Sequence, residues 1–398
     1  MPHRISRIAA RNYKSLEKVD VEISPLTVLV GPNGSGKTNL LSVLRFARDV
    51  ARFGIEDAVH TRGGFDRIRR QDGKPGRVSL TLQGLVTSHA SEGAPDVYEI
   101  ALGTSAANVT RKETFTYKRV PGKGRRMKLE ANSAIARITE EEVNAEPVER
   151  RLASKTTTML GTFAQLDDSA VGKGPREFLD FLSDIRYLDP SVSEARRPVR
   201  IQRGSIDDSA SNLSSALYEL SRTDSDSFAA LTRDLRDCLP GLEKIEFRHG
   251  GGPAETIVVS LVERGLVQSI DLADASFGTV RLLALLTALH DPKPPALTVV
   301  EEVDHGLHPY ALDVLVSRMR EASQRTQLLV ASHSPTLVNR LVPTEIVICD
   351  RDAGTGESMI PARSADEIAA AVDSSGYEPG ELWFSGVLGG VPLGGGVG

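Results

Sequence analysis

One short segment constrains the fold of this chain more than any other feature: GPNGSGKT, at Gly31–Thr38. It fits the pattern G-x-x-x-x-G-K-[S/T] and lies between an apolar run, LTVLV, and a run with apolar side chains at helical spacing. Glycines let the backbone turn its N–H groups toward phosphate oxygens, and the N-terminus of the following helix adds favourable partial charge. We therefore predict a strand, a phosphate-binding loop and a helix, with Lys37 at the β- and γ-phosphates and Thr38 on Mg²⁺. The predicted nucleotide contacts are Gly31, Pro32, Asn33, Gly34, Ser35, Gly36, Lys37 and Thr38.

Two later strands end in side chains suited to a nucleoside triphosphatase. LTVVEE, at Leu297–Glu302, is an apolar run that ends in two acids. We predict Glu301 beside Mg²⁺, directly or through water, and Glu302 as the group that orients or activates the attacking water. QLLVASHS ends another apolar run with His333, whose neutral imidazole can contact the γ-phosphate. The sequence thus predicts an ATP and Mg²⁺ site with Glu302 and His333 as catalytic residues.

The order of these motifs resembles that of the ATP-binding-cassette (ABC) class of ATPases. The resemblance implies a signature segment before the acid-ended strand, and ASFGTVRLLALLTAL, at Ala275–Leu289, is similar to it. Ser276 and Gly278 stand at the N-terminus of its predicted helix, where a hydroxyl, backbone N–H groups and the helix dipole can hold a phosphate. In that class the phosphate belongs to ATP on another subunit, which implies a homodimer or higher oligomer. Taken alone, the segment also fits a serine cap on a core helix.

Four strings resemble the RecF, structural-maintenance-of-chromosomes (SMC) and OLD-like group within this class. They are RNYKSL at Arg11–Leu16, Asn39 after the loop, EEVDHGLHP at Glu301–Pro309 and ASHSPTLVNRL at Ala331–Leu341. The stand-alone AAA family ATPases of bacterial defence and repair operons are similar over SNLSSALYEL and GELWFSGVLGG as well. The resemblance adds Asn39 to the nucleotide contacts, and it leaves Gln71 and Gln83 as alternatives for the glutamine that usually follows the loop.

This resemblance also implies a role. It implies ATP hydrolysis coupled to control of DNA or of a partner effector, such as a separate nuclease, in phage defence or DNA repair. The chain departs from the group in three ways: Glu301 replaces the usual aspartate, the signature has SFG rather than SGG, and a long coiled coil is missing. The first two departures bear on the rate of hydrolysis, and the third excludes a chromosome-tethering machine with long arms.

The order of apolar runs predicts an α/β fold of the ABC type, RecF/SMC-like, with a mixed β and helical insertion. Residues 78–130 alternate apolar and polar side chains, which favours antiparallel strands. Between 134 and 235 we expect helices, including one over ITEEEVNAEPVERRLA. Strand and helix then alternate as in a parallel sheet. We expect an ATPase core from 1–77 and 236–385, an inserted lobe at 78–235 and a flexible glycine-rich tail at 386–398.

Composition limits the class of protein further. The chain has 398 residues, 40% hydrophobic and 25% charged, which suits a large folded core rather than disorder. The longest apolar run is too short to span a bilayer, and the N-terminus lacks the apolar stretch of a secretory signal, so we expect a cytoplasmic protein without membrane contact. Cys238 and Cys349 lack metal-ligand spacing. The net charge of −5 leaves DNA binding to local basic patches, of which Lys118–Lys128 is the clearest.

Other functions compete with this one. A slowly hydrolysing, ATP-gated clamp on DNA or protein would need the same motifs, and so would a transporter-type nucleotide-binding subunit, although LSGGQ is absent. OLD-like nucleases carry an additional Toprim domain, and the comparable string here is IVICDRDAG, with Asp350 and Asp352. Only 46 residues follow Asp352, which is too few for that fold, so we predict an Asp-rich turn there.

Overall fold

A computed structural model describes residues 3–71, 76–105, 108–121, 126–132, 135–140, 147–152, 157–166, 171–250 and 256–389. The strands are β1 (Arg4–Tyr13), β2 (Leu16–Glu22), β3 (Leu26–Val30), β4 (Val78–Leu85), β5 (Asp96–Ser105), β6 (Asn108–Lys118), β7 (Arg126–Asn132), β8 (Ile135–Glu140), β9 (Val148–Arg151), β10 (Arg186–Leu188), β11 (Val199–Arg200), β12 (Leu242–Gly250), β13 (Thr256–Glu263), β14 (Ile270–Asp271), β15 (Leu297–Val300), β16 (Gln327–Ser332), β17 (Ile346–Ile348), β18 (Asp350–Arg351) and β19 (Ser358–Met359).

The helices are α1 (Lys37–Phe53), α2 (Ile55–His60), α3 (Phe65–Ile68), α4 (Met159–Phe163), α5 (Gly174–Asp184), α6 (Val192–Ala195), α7 (Leu213–Thr223), α8 (Ser225–Cys238), α9 (Phe277–Leu289), α10 (Pro309–Ala322), α11 (Pro335–Val338), α12 (Ala365–Ser375) and α13 (Pro379–Phe384). A short 3₁₀ helix covers Pro343–Glu345. The longest helix in the described ranges has 17 residues, so the expectation of no long coiled coil is confirmed there. Within those same ranges, no helix combines the length and the apolar character needed to cross a bilayer.

A five-stranded parallel sheet forms the centre of the fold, in the order β10-β15-β16-β3-β17. Strands β3, β15 and β16 are buried along their whole length, as their continuous apolar runs predict. Alternate residues of β3 enter different cores, because Leu29 packs on one face of the sheet and Val28 and Val30 pack on the other. The carboxyl ends of these strands therefore meet at one edge of the sheet.

The second large sheet is antiparallel and has eight strands, in the order β2-β1-β4-β5-β6-β7-β8-β9. It confirms the antiparallel strands predicted over residues 78–130. The helix predicted over ITEEEVNAEPVERRLA is wrong, because the described part of that segment forms β8 and β9. In β8, Ala136 and Ile138 are buried and their neighbours are more exposed, a period of two that fits pairing with β7. Pairing along the sheet overrides the helix propensity of the glutamates.

The sheets do not follow the predicted domain boundaries. Strand β4 opens the predicted insertion, yet it pairs directly with β1 from the other side of the boundary. Strand β10 lies inside the predicted insertion, yet it is an edge strand of the parallel sheet. Strand β10 was not predicted, because three residues are too few to show a periodic pattern. At the other boundary, Leu388 is buried, so the tail predicted to be flexible from residue 386 is packed there, and residues 390–398 lie outside the described ranges.

One side chain joins the two large sheets. Gln327, at the start of β16, accepts a hydrogen bond from the backbone N–H of Ile5 (2.9 Å) and donates to the carbonyl oxygens of Ile5 (2.7 Å) and Ser24 (3.0 Å). Gln327 is only 3% exposed, so water cannot replace these bonds. The contact fixes β1, in the antiparallel sheet, against the parallel sheet.

We expect Gln327→Ala to lower the free energy of unfolding by about 3 kcal/mol, because it removes the partners that Gln327 gives to the buried backbone groups of Ile5 and to the carbonyl oxygen of half-buried Ser24. Urea denaturation followed by circular dichroism would measure the loss. Gln324→Ala is the matched control, since Gln324 is exposed on the preceding turn and its change should stay within about 0.5 kcal/mol. Equal losses in both variants would contradict the role given to Gln327.

Candidate active site

The loop after β3 adopts a conformation that depends on glycine. Gly34 and Gly36 have φ values of 80° and 105°, in the left-handed region that side chains with a Cβ rarely enter. A Cβ at Gly31 would collide with the carbonyl oxygen of Cys349, the residue after β17, and a Cβ at Gly36 would collide with the hydroxyl of Ser358. The loop therefore fits closely between β17 and the β18–β19 hairpin, and it leads directly into α1.

The side chain of Lys37 folds back onto the backbone of the phosphate-binding loop. Its Nζ donates to the carbonyl oxygens of Gly31 (2.7 Å) and Pro32 (2.9 Å) and lies 3.4 Å from Nδ1 of His333. Burial lowers the pKa of Lys37 to about 8. Burial, followed by the charge on Lys37, lowers the pKa of His333, which keeps that imidazole neutral at physiological pH. The structure thus places a cation and a neutral imidazole together at the mouth of the loop.

Glu301 contacts the first turn of α1. Thr38 donates from Oγ1 to Oε2 of Glu301 (3.2 Å), and the hydroxyl of Tyr187 donates to the other carboxylate oxygen. Burial raises the pKa of Tyr187, so its hydroxyl stays protonated and acts as a donor. Tyr187 lies on β10, the edge strand that the sequence pattern did not reveal, and it was missed for the same reason.

The chemistry of Thr38 and Glu301 suits Mg²⁺, which prefers oxygen ligands. In the described ranges, no group of three or more His, Cys, Asp or Glu side chains gathers as a metal cage. Mg²⁺ commonly takes only one or two oxygens from a protein and the rest from phosphates and water. Thr38 and Glu301 are the residues that would hold it here.

Glu302 has an unusual backbone held by a buried arginine. Its φ is 47°, in the left-handed region, and its carboxylate lies 3.3 Å from Nδ1 of His305. Arg281, which is 4% exposed, donates from Nη2 to the carbonyl oxygens of both Glu301 and Glu302, at 2.9 Å each. Arg281 was not predicted to belong to the site, although a single arginine inside the apolar helix α9 is a visible signal. It ties the two acids to that helix.

The signature segment begins the same helix. Ser276 caps α9, and its Oγ accepts a hydrogen bond from the N–H of Thr279 at 3.1 Å. A Cβ at Gly278 would collide with the carbonyl oxygen of Gly306, and the ring of Phe277 lies 5.2 Å from that of His305. The segment therefore packs against the chain that follows Glu302. Within the described ranges, no hydrogen bond joins Ser276 to the loop at Gly31–Thr38, and the contact predicted for Ser276 with a second subunit's phosphate stays a prediction.

The N-terminal string RNYKSL packs beside the loop helix. Asn39 donates from Nδ2 to Oγ of Ser15 (2.7 Å), and that hydroxyl also bonds to the hydroxyl of Ser358 (2.8 Å). Lys14 donates to Oγ of Ser42 (3.2 Å) on the same helix. Asn39 therefore joins α1 to the N-terminal segment, and its predicted contact with nucleotide stays a prediction.

The two glutamine alternatives lie in different settings. Gln83 is in the middle of β4, paired with β1, and Gln71 is in a loop, where it donates to the carbonyl oxygen of Asp66 at 3.2 Å. Neither position is tied to the acids by a hydrogen bond among the described residues.

The Asp-rich string after β17 forms the predicted turn. Oδ1 of Asp352 accepts hydrogen bonds from the N–H groups of Gly354 (3.0 Å) and Thr355 (2.6 Å) and from the hydroxyl of Thr355 (2.9 Å). These bonds close a hairpin between β18 and β19. Asp352 is thus committed to its own turn rather than open for a nuclease metal.

Fold, loop and acid-ended strand together define an ABC-type P-loop ATPase of the RecF/SMC/OLD-like group. Within it, the chain belongs to the family described as "AAA domain, putative AbiEii toxin, Type IV TA system", whose model matches residues 26–339. That match includes the loop, the signature segment, both acids and His333.

Curated relatives and solved structures agree with this class. The chain is 23% identical to the DNA replication and repair protein RecF of Symbiobacterium thermophilum over 355 residues, which cover 79% of this chain and 88% of that protein. It is 42% identical to the OLD nuclease of Thermus scotoductus over 40 residues, only 10% of this chain and 8% of the nuclease. A crystal structure of an SMC head bound to the C-terminal winged-helix domain of ScpA matches with a TM-score of 0.55 at 12% identity, over 92% of this chain and 99% of that one. An SMC head with an extended coiled coil, bound to a domain of ScpA derived from Pyrococcus furiosus, matches with a TM-score of 0.52 at 13% identity, over 95% of this chain and 100% of that one. The structural likeness establishes the fold.

The lowered pKa of Lys37 predicts how nucleotide affinity depends on pH. Below pH 8 the amine is already charged, so affinity for ATP should be flat. Above pH 8 the amine of Lys37 is neutral in the nucleotide-free protein, and it becomes charged again when phosphate binds. Binding then takes up a proton, so the Kd for ATP should rise by up to about tenfold per pH unit. Calorimetric titrations between pH 7 and 9.5 would measure this.

Lys37→Arg supplies the control, because a guanidinium stays charged throughout this range. Its Kd should be less dependent on pH, whatever its absolute value. A wild-type Kd that is flat up to pH 9.5 would contradict the assignment of Lys37 as the titrating phosphate contact.

Proposed function

We propose that this protein hydrolyses ATP with Mg²⁺ and uses the cycle to close and open a dimer. The observation that carries the proposal is the meeting of four groups at one edge of the parallel sheet. Lys37 follows β3, Glu301 and Glu302 follow β15, and His333 follows β16. Two of the contacts between these strands, Lys37 with His333 and Thr38 with Glu301, join residues far apart in sequence.

Each group has a role that its position supports. Lys37 exchanges its bonds to the carbonyl oxygens of Gly31 and Pro32 for bonds to phosphate. Thr38 and Glu301 would hold Mg²⁺, and the bound ion would supply positive charge that offsets the charge of the phosphates. Glu302 accepts a proton from the attacking water or orients it. His333 stays neutral and donates to the γ-phosphate.

The signature segment supplies the proposed dimer contact. Ser276 and the first N–H groups of α9 would bind the γ-phosphate of ATP held by the partner subunit. Arg281 lies on the same helix and holds the backbone of Glu302, which offers a physical connection between closure of the dimer and the position of the acid. Phe277 is partly exposed and packs on His305, so it lies at the same surface.

The biological role proposed is control of DNA or of a partner effector in DNA repair or phage defence, in the cytoplasm. One support is the alignment with RecF, a DNA replication and repair protein, over most of both chains. The other is the description of the family, which refers to a toxin and a toxin–antitoxin system. A separate protein, such as a nuclease, is the effector proposed, since the string with Asp350 and Asp352 forms a structural turn.

We expect Glu302→Gln to bind ATP with unchanged affinity and to lose about 99% or more of its turnover, because the amide keeps the shape and loses the base. Phosphate release with ATP and Mg²⁺, with and without DNA, would measure it. Glu321→Gln, an exposed acid on α10, is the matched control and should keep wild-type turnover. Lys37→Ala should lose ATP binding altogether. Turnover in Glu302→Gln equal to wild type would move the base elsewhere, and low turnover in the wild type itself would favour the ATP-gated clamp.

We expect Ser276→Arg to block the ATP-dependent dimer while ATP binding by the single subunit continues, because an arginine side chain would fill the space of the partner's phosphate. Light scattering across an ATP titration of the Glu302→Gln protein, with and without this second change, would test it. Ser364→Arg is the matched control, since Ser364 is also the N-cap of a helix, α12, and is exposed. It should leave the dimer intact. Equal dimer formation by both variants would leave Ser276 as a helix cap alone.

A further inference from the structure

The hairpin formed by β18 and β19 lies against the phosphate-binding loop. Its second strand places Ser358 beside Gly36, where a Cβ on the glycine would collide with the serine side chain. Its first strand places Arg351 beside Gly34: Nη1 of the arginine is 3.5 Å from the position that a Cβ of Gly34 would occupy. The segment that resembled a nuclease motif therefore carries a cation to the loop.

The guanidinium of Arg351 is held in place by the turn rather than by an acid. Its Nε donates to the carbonyl oxygen of Gly356 at 2.9 Å, whereas Oδ1 of Asp350 accepts only from the backbone N–H of Arg351, at 2.7 Å. Across the part of the chain that the structure describes, no carboxylate lies within 4.0 Å of its guanidinium. The residue is exposed. Nη1 therefore lies beside the loop and Nη2 beside Gly356, with no carboxylate of the described residues competing for either nitrogen.

The support beneath Arg351 is rigid. Asp352 accepts three hydrogen bonds within the turn, and its backbone N–H donates to the carbonyl oxygen of Glu357 at 2.9 Å. The hydroxyl of Ser358 bonds to that of Ser15 at 2.8 Å, which attaches the hairpin to the N-terminal strands. A guanidinium held this way loses little conformational freedom when it binds an anion, which favours affinity.

We infer that Arg351 binds the diphosphate portion of the nucleotide held in the loop of its own subunit. Gly34 lies within the part of the loop whose N–H groups surround the α- and β-phosphates, and a guanidinium offers paired donors that match phosphate oxygens. ATP and ADP share that portion, so both should depend on Arg351. The inference rests on the proposed nucleotide site and adds a contact from the far end of the chain.

The test is the Kd for ADP, measured by calorimetry on the full chain, since ADP lacks the γ-phosphate proposed to close the dimer. We expect Arg351→Ala to raise the Kd for ADP and for ATP by about tenfold each, and Arg351→Lys to fall in between, because it keeps the charge and loses the paired donors. Arg363→Ala is the control, as it removes the same charge from another exposed arginine and should leave both Kd values unchanged. Melting temperatures without nucleotide would verify that the variants fold.

Three outcomes would overturn the inference while leaving the proposed function intact. One is a wild-type Kd for ADP in Arg351→Ala, and another is a loss confined to ATP, which would remove Arg351 from the diphosphate. Equal losses in Arg351→Ala and Arg363→Ala would also overturn it, because they would show an effect of overall charge. If the wild-type protein binds neither ADP nor ATP, the proposed function itself fails.

Discussion

The parallel pairing of β3 with β16, and of β16 with β15, is the constraint on which the rest of this structure depends. It aligns the carboxyl ends of three strands, so side chains from three distant segments, at residues 37, 301–302 and 333, arrive at one edge. Strands that are apolar on both faces can form this sheet only when helices cover both sides, and α1 and α9 provide that cover. The polar chemistry is thereby confined to the ends of the strands, where the backbone leaves the sheet.

Helix α9 connects two parts of the proposed site. Its first residue follows Ser276, which is proposed to bind the partner's phosphate, and its buried Arg281 holds the carbonyl oxygens of Glu301 and Glu302. Glu302 keeps a left-handed backbone, which costs free energy for a residue with a side chain, and the two bonds from Arg281 offset part of that cost. A shift of this helix on closure would move the backbone of the acid with it.

Local motifs were predictable from the sequence, and long-range partners were not. The loop at Gly31–Thr38 and the apolar strands around it carry their own signals, because glycine conformation and continuous burial act over a few residues. The roles of Tyr187 and Arg281 were not predicted, since both depend on Glu301, which lies 114 and 20 residues away from them along the chain. The segment that became β8 and β9 was predicted as a helix because its glutamates favour one, while the deciding contact was the edge of β7. The Asp-rich turn was predicted correctly, yet its arginine became meaningful only when the structure placed it at Gly34.

The position of β3 within its sheet affects how the protein can be made. This strand, at residues 26–30, is hydrogen-bonded on one side to residues 328–332 and on the other to residues 346–348. A ribosome therefore exposes the apolar strand and its glycine loop long before either neighbour has been synthesised. Early chains cannot assemble this edge of the sheet, and their unpaired strand is open to aggregation or to chaperones until residues 328–348 emerge. Products truncated before those residues would therefore lack the proposed nucleotide pocket altogether rather than hold part of it.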